Sequence, residues 1–307
     1  MFSSPRDYRP VLMLLGATAC WGIATVITKR ALAEIAPLAL LPIQLLVSVV
    51  FLTTLTRAGG SRVSWSPELR RLGLLGVLNP GVSYALSLAG LAHITASLSV
   101  LLWTVEPLLI LVLARLVLGD RITPLLAVTM LTAFGGVSLI VFQTGSQGSG
   151  LGASLTLAGV GACAIYTVLC RSLLVNDSTL SVVVVQQACA LVFAVSLLGA
   201  ASLTGQTSPL DDVSVGGWLS AIASGVLYYA VAFWFYLHGL RKVPAAIAGA
   251  FINLIPVFGI AAGYVLLSER LTPRQWLGAG VVLVAVAATA ILQRPTAPTG
   301  EARPRPA

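Results

Sequence analysis

The sequence predicts an all-α integral membrane protein with ten transmembrane helices arranged as two inverted five-helix repeats. Three observations carry that expectation: a composition too apolar for a soluble surface, ten segments of spanning length, and an internal duplication. Of 307 residues, 57% are hydrophobic and 9% charged, with mean hydropathy +0.96. A soluble domain carries about 25% charged residues, so too few polar side chains are present to cover one here. The duplication links residues 76–124 to 225–273. Laid together without a gap, 13 of 49 positions are identical, among them Gly76, Gly90, Pro107, Arg121 and Pro124 with their partners 149 residues on. Each copy ends on an acidic-Arg-aliphatic-Thr-Pro turn, DRITP at 120–124 and ERLTP at 269–273. That block and the matched prolines are hard to obtain by chance in two unrelated apolar stretches.

A helix needs about 20 apolar residues to cross the hydrocarbon core. Ten segments qualify: 11–29, 36–55, 70–91, 95–117, 123–142, 151–171, 179–203, 215–238, 244–267 and 272–292. The first follows Arg6 and Arg9 and resembles a signal peptide. It is expected to stay, because its loss would leave the first half one span short. The polar Gly-Ser link at 145–150 divides the chain into two halves, 11–144 and 151–292. Residues 1–10 form a short leader, and 293–307 form a Pro-rich polar tail expected to be disordered.

Orientation follows from the basic residues. With the N-terminus inside, 14 of the 18 lysines and arginines face the cytoplasm; Lys29, Arg30, Arg270 and Arg274 face out. Both termini are then cytoplasmic, in a bacterial inner membrane. An odd number of spans per half makes the repeats inverted, an arrangement of secondary transporters with a midplane site. The net charge of +8 reads as cytoplasmic loop arginines, not as a nucleic-acid surface. The four cysteines lie in apolar segments without CxxC or Cys/His spacing, so neither zinc, disulfides nor any cofactor is expected.

Glu106 is the sharpest candidate residue. It lies 11 residues into the fourth segment, about 16 Å along the axis at about 1.5 Å per residue. A charge near the bilayer centre costs at least about 2.5–3.5 kcal/mol. Such an acid binds a cationic group, carries a proton for coupling, or stays protonated and hydrogen-bonded to a neighbouring helix. Its repeat partner is Ile255, so the scaffold does not require it. Ser99 and Trp103 share its helix face. Trp103 is placed to stack on an aromatic or cationic substrate, or to fill space between helices. Asn79, before Pro80-Gly81, and Tyr84 lie on the third segment, with Tyr228, Tyr229 and Phe233 on the eighth and Asn253 on the ninth as further polar or aromatic lining. Gln44, Gln186 and Gln187 are read as interhelical hydrogen-bonding groups. Pro107 and Pro256 should bend their helices and serve as hinges. Lys29 is expected to snorkel to the outer interface. Asp120-Arg121 and Glu269-Arg270 are read as helix-end caps.

The two five-helix repeats, each with a proline-bearing helix and the acidic-Arg-aliphatic-Thr-Pro turn, resemble EamA-type transporters of the drug/metabolite transporter superfamily. Trp21-Gly22 in the first helix, Ala164 to Val168 (AIYTV) in the sixth, and Thr95-Ala96-Ser97 and Pro244-Ala245-Ala246 ahead of the prolines carry that resemblance. It covers about residues 11–292 and implies export or exchange of amino acids, other metabolites or drugs. It places Trp21 and Tyr166 among the substrate-binding residues. Glu106 stands where the resemblance leads one to expect an uncharged residue.

The expected function is therefore a secondary transporter, an exporter of small amino-acid-like, aromatic or cationic solutes working by alternating access, with proton coupling through Glu106. An uncoupled facilitator is the alternative. An integral-membrane transferase would need clustered carboxylates or a His/Ser set. The isolated pair Asp211-Asp212 and two distant histidines do not supply one, so no catalytic residues or metal ligands are assigned. No Walker A motif is present to drive transport by ATP. The expected partners are a small-molecule substrate and membrane lipid, with no nucleic acid; a monomer and a homodimer both fit.

Overall fold

The computed structural model describes residues 8–59, 67–118, 150–173, 179–205, 209–240 and 251–292 except Asn253, with scattered positions between 124 and 139. The expected fifth span, the 145–150 link, the start of the ninth span and the 293–307 tail lie wholly or largely outside them. The described residues form helices and no strand. Six helices are long and apolar enough to cross a membrane: Arg9–Ala31, Pro37–Ala58, Leu69–His93, Gly150–Leu169, Leu180–Leu203 and Val215–Tyr236.

Helix α1 (Arg9–Ala31) opens with Pro10 in its first turn, where no backbone donor is lost, and closes with Lys29 and Arg30 against the carbonyl end of its dipole. Helix α2 (Pro37–Ala58) starts on a proline in the same way. The third span is α3 (Pro67–Gly76), a wide π turn at Val77–Val82, and α4 (Ser83–His93). The turn has a local cause. Pro80 has no N–H to donate, and Asn79 leaves helical geometry at φ −144°, ψ 118°. Helix α5 (Ala96–Trp103) ends at Thr104, and α6 (Glu106–Leu118) begins after a one-turn break.

The second half holds α7 (Gly150–Leu173), α8 (Thr179–Leu203), α9 (Val215–Ser224), a second π turn at Gly225–Val231, α10 (Ala232–Leu240), α11 (Ile255–Leu267) and α12 (Pro273–Leu292). Adding 149 to the first π turn gives 226–231, so the two wide turns fall in register. The break before α6 also has its counterpart. Val105 N donates to Leu102 O at 3.2 Å, and Leu254 N donates to Phe251 O at 2.8 Å. The bends expected at Pro107 and Pro256 take the form of these breaks. Each helix is interrupted just upstream, and each proline sits in the first turn of a new helix, where its missing donor costs nothing.

The first helix of each half packs into the other half. Helix α1 lies against α9, the second π turn, α10 and α11, while α7 lies against α4, the first π turn, α5 and α6. Glycine permits the closest approach. A Cβ at Gly22 would stand 2.7 Å from Gly259 N and 2.8 Å from Ile255 O. Large apolar side chains, among them Leu46, Val195, Leu203 and Val265, are exposed on the outer faces. Grooves of about 520 Å³ between α11 and α12 and about 650 Å³ over α2 are almost wholly apolar. Such a surface suits lipid rather than water.

Candidate functional site

The helix interruptions bring an aromatic cluster and an acid together between the halves. Tyr84, in the first turn of α4, stacks on Trp103 at the end of α5, with centroids 5.6 Å apart and planes 27° apart. It also meets Tyr228 and Tyr229 of the second π turn edge to face, at 5.4 and 5.2 Å. Trp21 of α1 packs against Phe233 at 5.3 Å and Tyr236 at 5.5 Å, and its Nε1 donates to Tyr228 O at 3.1 Å. On the opposite side Gln187 Nε2 donates to Tyr229 O at 2.8 Å. Two carbonyls of the widened turn are thus met by side chains from α1 and α8, which holds the tyrosines in place.

Glu106 opens α6 beside this cluster. Its Oε1 accepts a hydrogen bond from Cys163 Sγ of α7 at 3.3 Å, and the phenols of Tyr228 and Tyr236 lie within its electrostatic reach. The acid is partly buried, with a thiol as its side-chain hydrogen-bond partner and no cation recorded against it among the described residues. A carboxylate among phenols and indoles suits an ammonium group carried on an apolar or aromatic body.

Of the residues singled out in the sequence, Trp21, Tyr84, Trp103, Glu106 and Tyr228 converge here. Ser99 is buried on α5 one turn before Trp103, but the break at Thr104 separates its helix from that of Glu106. Tyr166 turns toward α8, its hydroxyl donating to Gln186 Oε1 at 2.8 Å. Asn79 sits in the first π turn, and its buried Oδ1 has no hydrogen-bond partner. Asn253 lies outside the described residues. The three glutamines do bridge helices. Gln44 Nε2 donates to Thr28 and Ser224, and Ser48 donates to Gln187 Oε1 at 2.5 Å.

Sequence reasoning missed Cys163 and Tyr236. Cys163 directly precedes the AIYTV stretch, and Tyr236 lies within the second copy of the repeat, but only the fold shows what they touch. Lys29, expected at the outer interface, donates its Nζ to Leu91 O at 2.7 Å and Ala92 O at 3.1 Å, at the end of the third span. The last carbonyls of α4 have no intrahelical donor, and the lysine is within their reach. Between α1 and α2, Glu34 accepts from Ser214 Oγ at 2.9 Å and Ser214 N at 2.7 Å, bonds that hold its carboxyl below the usual carboxylate range.

The EamA-like transporter family model matches residues 9–142 and again 150–291. An uncharacterized transporter of Archaeoglobus fulgidus is 27% identical over 272 residues, covering 87% of this chain and 93% of that one. The uncharacterized transporter YyaM of Bacillus subtilis is 26% identical over 221 residues, 70% of each chain. A crystal structure of another protein, 16% identical, superimposes with a TM-score of 0.64 over 92% of this chain and 97% of that one, a likeness of fold.

Proposed function

Because the chain belongs to the EamA-like transporter family, we propose that it is a secondary transporter exporting a small cationic or amino-acid-like solute with an aromatic or apolar body. One observation carries the reading: Glu106 opens a helix beside a cluster of aromatic side chains drawn from both halves. We place it in a bacterial inner membrane with both termini inside, as ten helices in two inverted repeats. The register of the two π turns and the reciprocal packing of α1 and α7 support that arrangement. Alternating access rocks one set of helices against the other around the midplane site. Glu106 takes the substrate cation in one state and a proton in the other, so the two compete for one carboxylate and exchange. Family and relatives point away from enzymatic chemistry.

The test is uptake of labelled amino acids and cationic dyes into proteoliposomes under an imposed pH gradient. The parent should accumulate one of them, and Glu106→Gln should lose accumulation by at least about tenfold, about 1.4 kcal/mol of coupling. Equal uptake in both proteins, indifferent to pH, would mean a facilitator in which Glu106 is structural.

A further inference from the structure

We propose that Lys29 and Glu269 form a charge-capped latch that closes one end of the pathway and must open in every transport cycle. The inference rests on the transporter reading above and adds the moving part. The chain between α4 and α5 is extended at Ile94, φ −127° and ψ 168°, so two helix ends face each other there. Each end is met by a charge of the sign its dipole favours. Lys29, from the last turn of α1, donates to Leu91 O and Ala92 O at the carbonyl end of α4. Glu269, from the turn after α11, accepts from Ala96 N at 2.8 Å, Ser97 N at 2.9 Å and Ser97 Oγ at 2.6 Å at the amide end of α5. Lys29 and Glu269 also attract each other.

The two charges come from opposite halves and converge on one break. Glu269 is presented by a fixed turn: Ser268 takes the left-handed conformation at φ 54°, and Glu269 N donates to Gly263 O at 3.1 Å. Below the latch, α11 presents glycines to the side chains of α5. A Cβ on Gly263 would lie 2.7 Å from Ser97 Oγ, and one on Gly259 would lie 2.8 Å from Val100. Val100 is 2% exposed. No solute passes between α1, α5 and α11 while these contacts hold. Parting α11 from α5 breaks the Glu269 bonds together and leaves Lys29 on α4 alone. Both charges cap polar groups that water can also satisfy, so the open form exposes nothing that must stay buried.

The test uses the full chain in nanodiscs, where both faces are accessible. Cys20, Cys170 and Cys189 are replaced by alanine, Cys163 is kept, and Val100→Cys is the reporter for a membrane-impermeant maleimide, read against the same chain with Val100 in place. The reporter should label slowly in the otherwise unaltered chain and about tenfold faster with Lys29→Met or Glu269→Ala. Labelling at the unaltered rate in both would overturn the latch. Because these substitutions also remove helix caps, a second variant leaves the charges in place. Ala96→Cys with Ala262→Cys, on α5 and α11 in one buried cluster, should form a disulfide that stops solute exchange until it is reduced. Exchange at the parent rate with that disulfide closed would equally overturn the latch. Reporter labelling that follows the latch in a protein moving no solute would sink the transport reading and leave the latch standing.

Discussion

Glu106 shows at the scale of one residue how much a sequence discloses. Its presence in an apolar segment marks it as costly, and the cost marks it for function. Its hydrogen bond to Cys163 was not legible, because residues 57 apart carry no sequence signal of contact. The same holds for Lys29. Its place near a helix end was plain, but the carbonyls of Leu91 and Ala92 that receive it depend on where α4 stops. Gly22 gives a prediction of a different kind. Its Cα faces the backbone of Ile255 and Gly259 with no room for a methyl group. Gly22→Ala must push α1 from α11, and overpacking of this kind costs about 1–3 kcal/mol. The melting temperature in detergent should fall, whereas Gly161→Ala, where a Cβ meets nothing within 4 Å, should leave it unchanged.

At the scale of elements, the spans from Arg9 to His93 were readable from hydropathy, since lipid permits little besides a helix there. The helix interruptions were only half readable. Asn79-Pro80-Gly81 announces a loosened helix. The second π turn has no proline, and what accompanies it is the pair of donors from Trp21 and Gln187. At Pro107 and Pro256 the expected bend is a helix break just upstream, and each proline lies in the first turn of the next helix, because a residue without an amide hydrogen fits best where none is needed. The second turn therefore depends on Gln187. Gln187→Ala leaves Tyr229 O and Ser48 Oγ without this partner, a loss of about 1–3 kcal/mol in a buried setting. Lower thermal stability and weaker solute binding should follow together, since Tyr229 belongs to the ring cluster. A loss of stability with unchanged binding would mean the turn does not position the site.

For the whole molecule, the duplication was the most legible feature, because matched turns and prolines survive in sequence after side chains diverge. The exchange of first helices between halves was not legible; pairing across 200 residues is set by packing, with glycines clearing the way. The proposed inverted arrangement makes a topological prediction. Phosphatase fused after Gly148 should be active and a fluorescent protein fused after Ala307 should fluoresce, because the proposal puts five spans before the first point and ten before the second. Activity reversed at either point would break the inverted repeat. The central claim is that solute crosses by alternating access, and counterflow measures it most directly. Proteoliposomes loaded with unlabelled substrate should take up the labelled form in a saturable way, faster than empty ones, as a carrier returning loaded must. Uptake that does not saturate and is indifferent to the internal solute would contradict the account and leave a channel.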